Sequence, residues 1–258
     1  MLEITPIPAF EDNYIWALIN RAAGTAVLVD PGDARPVEAF LAAHSLSLTG
    51  ILITHHHGDH IGGIAALRAD RAIPVFGPAN ESIASLTDRL RDSDKRQLPG
   101  NTTYAVSVLE VPGHTAGHIA YRVDEHLFCG DTLFVMGCGR LFEGTPAQLY
   151  ASLQRIASLP AHTQLFCAHE YTLSNLKFAL TVEPSNEALQ ARAFKVASLR
   201  ESGLPTVPTT VAEELETNPY LRCHSAEIRA NAEQFAGSSL ANEVEVFAAL
   251  RRWKNEFR

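Results

Sequence analysis

A chain of 258 residues with 46% hydrophobic and 19% charged side chains can bury a core, which excludes disorder as its default and suits one large domain with or without a smaller appendage. Its formal net charge of −8 argues against nucleic-acid backbones and anionic membrane surfaces as partners. The four cysteines, at positions 129, 138, 167 and 223, form no C-x-x-C pair; a chain this long needs no disulfide staples, and thiols in a reducing cytoplasm are expected.

The opening residues MLEITPIPAFEDNY contain no basic segment followed by a long apolar run, so neither a secretory signal nor a membrane span is expected. Short apolar or β-branched runs closed by Gly, Pro or Asp predict strands over residues 4–8, 14–20, 26–30, 50–54, 75–77, 104–111, 118–123, 127–129 and 165–168. Helical patterns fall between them at 36–44, 61–70 and 146–159. The last is entered through Thr145-Pro146, an N-cap followed by proline at the first helical position. Beyond about Tyr171 the strand patterns vanish. Helical periodicity takes over at 173–182, 186–201, 211–216, 225–235 and 242–253, and Gly203-Leu204-Pro205 with Pro208 marks a loop. The expected organisation is an α/β domain over residues 1–170 and a smaller all-helical domain over 171–258.

The eleven histidines are unevenly placed. Thr54-His55-His56-His57-Gly58-Asp59-His60 follows an apolar strand and precedes a helical pattern, so its side chains can converge from a turn. Several imidazoles and a carboxylate packed this closely would leave ring nitrogens without partners unless they bind a metal, and imidazole with carboxylate suits zinc, iron or manganese. A solvated polyhistidine loop is the bland alternative, and the apolar flanks argue against it. His114 in Pro112-Gly113-His114-Thr115, Asp131 in Cys129-Gly130-Asp131-Thr132 and His169 in Cys167-Ala168-His169-Glu170 each stand just after a predicted strand, a pattern that brings ligands to one sheet edge. Singly, each reads equally well as a capping or turn residue. Together with the cluster they make seven candidate ligands, too many for one tetrahedral ion and enough for two.

The set His55-x-His57-x-Asp59-His60, His114, Asp131 and His169 resembles the signature of the metallo-β-lactamase superfamily. The resemblance implies a four-layer αββα sandwich and two divalent ions, zinc before iron or manganese. It implies that His55, His57 and His114 hold one ion, that Asp59, His60 and His169 hold the other, and that Asp131 bridges them. His56 and His118 are expected to support the ligands or the fold, and His44, His126, His162 and His224 to be ordinary surface or loop residues. A hydroxide shared by the ions would attack a carbonyl directly, with Asp59 and Asp131 as the catalytic carboxylates. No G-x-S-x-G occurs, and no serine or cysteine nucleophile is needed.

Within that superfamily the chain resembles the glyoxalase II (hydroxyacylglutathione hydrolase) family. The segment 130–144, Ala168-His169-Glu170-Tyr171-Thr172, Asn218-Pro219-Tyr220-Leu221-Arg222 and the basic C-terminus carry the likeness. It implies glutathione contacts from Arg140, Phe142, Tyr171, Arg251 and Lys254, with Phe142 only packing because it lacks a hydroxyl. Arg251 and Lys254 are three apart and share a helix face; Arg252 and Arg258 are expected to be solvated. The implied reaction is hydrolysis of S-D-lactoylglutathione, or related 2-hydroxyacyl-glutathione thioesters, to D-lactate and glutathione, by a cytoplasmic monomer without nucleic-acid or membrane partners. A glutathione persulfide dioxygenase and a non-catalytic metal-binding protein of the same fold are the competing readings. A β-lactamase or a nuclease fits less well, for want of an export signal and of a basic surface.

Overall fold

The computed structural model describes residues 2–257, so the expectation for Arg258 lies outside the described residues. Contacts divide the chain into two compact units. Unit 1 runs to Glu110 and adds Thr115–Gly130; unit 2 takes Val111–His114 and the chain from Asp131 onward.

Unit 1 holds β1 (Glu3–Ala9), β2 (Asn13–Asn20), β3 (Thr25–Val29), α1 (Ala34–Ala43), β4 (Ser47–Leu52), α2 (Gly58–Ile61), α3 (Ile64–Arg68), β5 (Val75–Pro78), β6 (Asp88–Leu90), β7 (Lys95–Leu98), β8 (Asn101–Glu110), β9 (Ile119–Val123) and β10 (His126–Gly130). Strands β1 to β6 form one sheet in chain order, antiparallel from β1 to β3 and parallel from β3 to β6. Strands β7 to β10 pair as an antiparallel meander. The period of two along β2 sends Ile15, Ala17 and Ile19 into a core with Val37 and Leu41 of α1 and Ile64 and Leu67 of α3. Trp16 and Leu18 point the other way and are also buried. Burial on both faces explains why this strand reads as a continuous apolar run rather than an alternation.

The expected helix over 61–70 is broken into α2 and α3. A Cβ at Gly63 would lie 2.5 Å from the Pro31 carbonyl oxygen, and one at Gly62 would lie 2.7 Å from that of Gly32. The two glycines allow the turn to sit against the backbone of another loop, and the helix stops there. Strands β6 and β7, which the sequence pattern did not predict, are short, carry charged residues and lie at sheet edges, where charge rather than alternation is the usual pattern.

Unit 2 contains the hairpin β11 (Leu133–Phe134) and β12 (Gly137–Cys138), α4 (Pro146–Ala157), β13 (Gln164–Cys167), α5 (Thr172–Val182), α6 (Glu187–Glu201), β14 (Thr209–Thr210), α7 (Val211–Thr217), α8 (Ala226–Ala236) and α9 (Glu243–Glu256). Thr145 caps α4 in a reciprocal capping box with Gln148, and Thr210 does the same for α7 with Glu213. The C-terminal segment is not wholly helical: β14 pairs antiparallel with β13, and two residues are too few to show a strand period. No helix among the described residues is long and apolar enough to cross a membrane.

The Tyr121 hydroxyl of β9 donates its one hydrogen to the Ile53 carbonyl (2.8 Å), with the Phe76 carbonyl of β5 3.2 Å away as a second acceptor, inside the buried interior of unit 1. Tyr121→Phe should therefore lower unfolding stability by about 1–3 kcal/mol without altering secondary structure, as read by urea denaturation and far-UV circular dichroism.

Candidate active site

The loop after β4 carries the histidine cluster of unit 1. His55 and His60 are buried, His57 and Asp59 half-buried. His55 Nε2 approaches His57 Nδ1 to 3.0 Å, and His60 Nε2 lies 3.4 Å from Asp59 Oδ2. Asp30, just beyond β3 at a φ of 52°, organises the group. Its Oδ1 accepts from the Thr54 amide (2.8 Å), and its Oδ2 accepts from the Thr54 hydroxyl (2.7 Å) and from His60 Nδ1 (3.0 Å). A carboxylate only accepts, so His60 carries a proton on Nδ1, and the lone pair of the neutral ring stands on Nε2. The Thr54 hydroxyl spends its own hydrogen on Asp30. At 3.0 Å from His55 Nδ1 it therefore accepts from that ring, which places the His55 lone pair on Nε2 in the same way. His118 is buried and stacks on His55, with centroids 4.6 Å apart.

Three more side chains support this loop. Asn13 Nδ2 donates to Asp59 Oδ2 at 3.0 Å. His56 turns to Glu81, with Nδ1 2.9 Å from Oε2, and Thr115 donates its hydroxyl to the other Glu81 oxygen. Sequence reasoning missed Asp30, Asn13 and Glu81. Each lies 24 or more residues from its partners, and no local motif marks such a pairing.

Unit 2 gathers His114, Asp131 and His169. The Asp131 carboxylate lies between two rings, its Oδ2 3.5 Å from His114 Nε2 and its Oδ1 3.4 Å from His169 Nε2. All three residues are buried. His114 Nδ1 donates to the Arg140 carbonyl at 2.9 Å, which again leaves Nε2 as the lone-pair nitrogen. A Cβ on Gly139 would stand 2.0 Å from the Asp131 carbonyl oxygen and 3.1 Å from His114 Nδ1, so only glycine lets these segments meet. Tyr171 stacks on His169 (4.7 Å, 6°) and Phe142 sets its ring edge-on to His114 (5.2 Å).

The donor chemistry of both sets fits divalent metal. Imidazole nitrogens and carboxylate oxygens are grouped at 3.0–3.5 Å, and three of the rings have their second nitrogen held by an acceptor. That arrangement fixes tautomer and direction for a ligand. These donors suit zinc, iron or manganese.

His114 and Asp131 also line a cavity of about 420 Å³ within unit 2, together with Arg140, Phe142, Tyr171, Arg251 and Lys254. Phe142 and Tyr171 are exposed. Arg251 is only 5% exposed. Its Nη1 donates to the Cys138 carbonyl (2.8 Å), its Nη2 to Asn255 Oδ1 (3.2 Å), and its guanidinium lies 5.3 Å from the Tyr220 ring centroid. Lys254 Nζ donates to the carbonyl and hydroxyl of Ser174, both at 2.8 Å. Burial, followed by the charges of Arg251 and Arg140, lowers the Lys254 ammonium to about 8. Burial pushes the Cys138 thiol up to about 11, which keeps the one cysteine lining the cavity protonated and non-nucleophilic at neutral pH. Arg252 is exposed.

Residues 13–169 match the family profile described as "Metallo-beta-lactamase superfamily", and residues 170–257 match "Hydroxyacylglutathione hydrolase C-terminus". The chain is 53% identical over 256 residues to a hydroxyacylglutathione hydrolase of Alkalilimnicola ehrlichii, covering 99% of this chain and 100% of that one. It is 52% identical over 270 residues to one of Dechloromonas aromatica, covering both chains fully. Among solved structures it is similar to ETHE1 from Myxococcus xanthus, with a TM-score of 0.66, 25% identity and full coverage of both chains. It is also similar to TTHA1623 in a di-iron-bound form, with a TM-score of 0.58, 25% identity, and coverage of 84% of this chain and 100% of that one. The α/β sandwich expected from the histidine signature is thus the fold of this chain, which belongs to the hydroxyacylglutathione hydrolase family of the metallo-β-lactamase superfamily.

Proposed function

We propose that the protein hydrolyses S-D-lactoylglutathione and related 2-hydroxyacyl-glutathione thioesters to the hydroxy acid and glutathione, the second step of methylglyoxal detoxification. The observation that carries this reading is one cavity in unit 2 that joins His114 and Asp131 to the cations Arg140, Arg251 and Lys254, in a chain about half identical to hydroxyacylglutathione hydrolases over its full length. In this reading His55, His57 and His114 would hold one divalent ion, Asp59, His60 and His169 would hold a second, and Asp131 would be a ligand shared by both. Zinc is the first candidate, with iron and manganese accepted by the same donors. Residues 1–170 are the catalytic domain and 171–258 the substrate-binding domain. The protein works as a cytoplasmic monomer, where glutathione and its own buried thiols stay reduced.

When bound, such ions bring the pKa of water down to about 7 and polarise a carbonyl oxygen. The chain's own groups do the rest. Asp59, tethered by Asn13, and Asp131, set between two rings, are the carboxylates that orient the attacking water. Asp30 and the Arg140 carbonyl keep the His60 and His114 protons on Nδ1, so neither ring can rotate without losing a hydrogen bond. The cavity's cations attract the substrate carboxylate. Tyr171 and Phe142 offer aromatic surface beside His169 and His114. The departing thiolate has a pKa near 8.5 and needs no general acid.

Steady-state hydrolysis of S-D-lactoylglutathione tests the reading directly. Turnover that a chelator abolishes is expected, with kcat/KM on the order of 10⁴ M⁻¹s⁻¹ or more; fully metallated protein without turnover removes the assignment and turns attention to persulfides. Asp131→Ala should lose metal content, by plasma mass spectrometry, along with the rate. Lys254 is charged below about pH 8 and neutral above it, so KM should rise as pH passes 8. Lys254→Met should raise KM roughly tenfold at pH 7, as expected for loss of one charge-assisted hydrogen bond, and flatten that pH dependence. A KM that is flat with pH in the unaltered protein excludes Lys254 from the substrate contact.

A further inference from the structure

The hairpin β11–β12 has two residues in each strand, far too few to hold its own shape. Its backbone is held by side chains from three helices. Asn218, the C-cap of α7, donates to the carbonyls of Phe134 (3.2 Å) and Gly137 (3.0 Å). Asn175 of α5 donates to the Val135 carbonyl (3.1 Å), Arg251 of α9 to that of Cys138 (2.8 Å). The Met136 amide, at a left-handed φ of 53°, donates to Glu214 Oε2 (2.8 Å). Five consecutive residues of the hairpin are thus fixed from outside it.

Glu214 is the anchor of this arrangement. It is fully buried and receives four donors. Arg192 Nη2 (2.7 Å) and the Thr209 hydroxyl (2.8 Å) reach Oε1; the Met136 amide and Asn218 Nδ2 (2.9 Å) reach Oε2. A carboxylate saturated in this way has no freedom to turn, and an ion pair buried at this depth adds direction more than stability. Both legs of the hairpin run into the site. Asp131 stands two residues before Leu133, and the Gly139 amide returns to the Thr132 carbonyl at 3.2 Å. Arg140, two residues after Cys138, presents the carbonyl that fixes the His114 proton.

We propose that Glu214 and Asn218 are positioning residues of the hydrolytic site, acting through the Leu133–Cys138 hairpin to set the Asp131 carboxylate and the carbonyl that orients His114. Neither residue lines the cavity, and their effect passes through the backbone alone. This inference rests on the reading of Asp131 and His114 as metal ligands.

The deciding experiment is metal affinity of the full chain, measured by competition with a chromophoric zinc chelator, alongside kcat and KM. Asn218→Ala should weaken zinc binding roughly tenfold, the effect typical of groups that orient a ligand, and should lower kcat by more than it raises KM. Asn186→Ala is the control. It removes the N-cap of α6 and the donor to the Glu216 carbonyl of α7, a contact with that helix that does not reach the hairpin, and should lower the melting temperature while leaving zinc affinity unchanged. A folded Asn218→Ala protein with unaltered zinc affinity overturns the proposal, as does an Asn186→Ala protein that loses as much affinity. Should Asn218→Ala fail to fold, Asn175→Ala removes the donor to Val135 from a side chain that also lines the cavity, so zinc affinity and not KM is its readout; that affinity should fall about threefold, a fraction of the same effect, and no change there overturns the proposal equally. If the unaltered protein binds no zinc, the ligand reading falls and this inference with it. If it binds zinc and the variants match it, only the positioning role falls.

Discussion

A neutral imidazole offers a metal one lone pair, and it does so in a fixed direction only when its other nitrogen is held by an acceptor. Much of this molecule's buried polar structure answers to that constraint. Asp30 receives the proton of His60 directly and that of His55 through the Thr54 hydroxyl. In unit 2 a backbone carbonyl, that of Arg140, does the same for His114. The acceptors are themselves fixed: Asp30 by the Thr54 amide, and Arg140 by the hairpin that precedes it. Such groups are costly to bury without partners and strongly directional with them, so the fold around them has little freedom to adjust.

The cavity of unit 2 shows a different electrostatic logic. The chain as a whole is acidic, yet this cavity is lined by three cations and one carboxylate, Asp131. An anionic ligand would be drawn to the cavity against the general field of the protein, which favours selectivity as well as attraction. The three cations are not equivalent. The hydrogen bonds of Arg251 run to the Cys138 carbonyl and Asn255, so it braces the cavity wall as well as charging it. Lys254 is held by Ser174 and lies 5.5 Å from the ring centroids of Phe178 and Phe257, and Arg140 stays exposed.

Much of this was legible from residue order. The apolar run over residues 14–20 predicted the strand that is β2, and the capped entry at Thr145-Pro146 predicted α4. The His-x-His-x-Asp-His cluster, with single His and Asp residues just after later strands, announced metal chemistry and its superfamily. Other features were not legible. The edge strands β6 and β7 have three and four residues with one buried position each, too few to show a period. The break between α2 and α3 depends on how near Gly63 comes to the Pro31 carbonyl, and nothing local to residues 61–70 records that distance.

The sequence by itself determined the fold class, the helical character of the C-terminal segment and the family, because hydrophobic period, turn residues and ligand spacing are local properties that survive in one dimension. Only the tertiary structure decided which carboxylate holds which histidine, that Asn13 steadies Asp59, that Arg251 is buried against a backbone carbonyl, and that Glu214 and Asn218 grip the hairpin beside Asp131. These are pairings between residues as far as 113 positions apart. A polar side chain carries no mark in sequence of the partner that burial will require it to find.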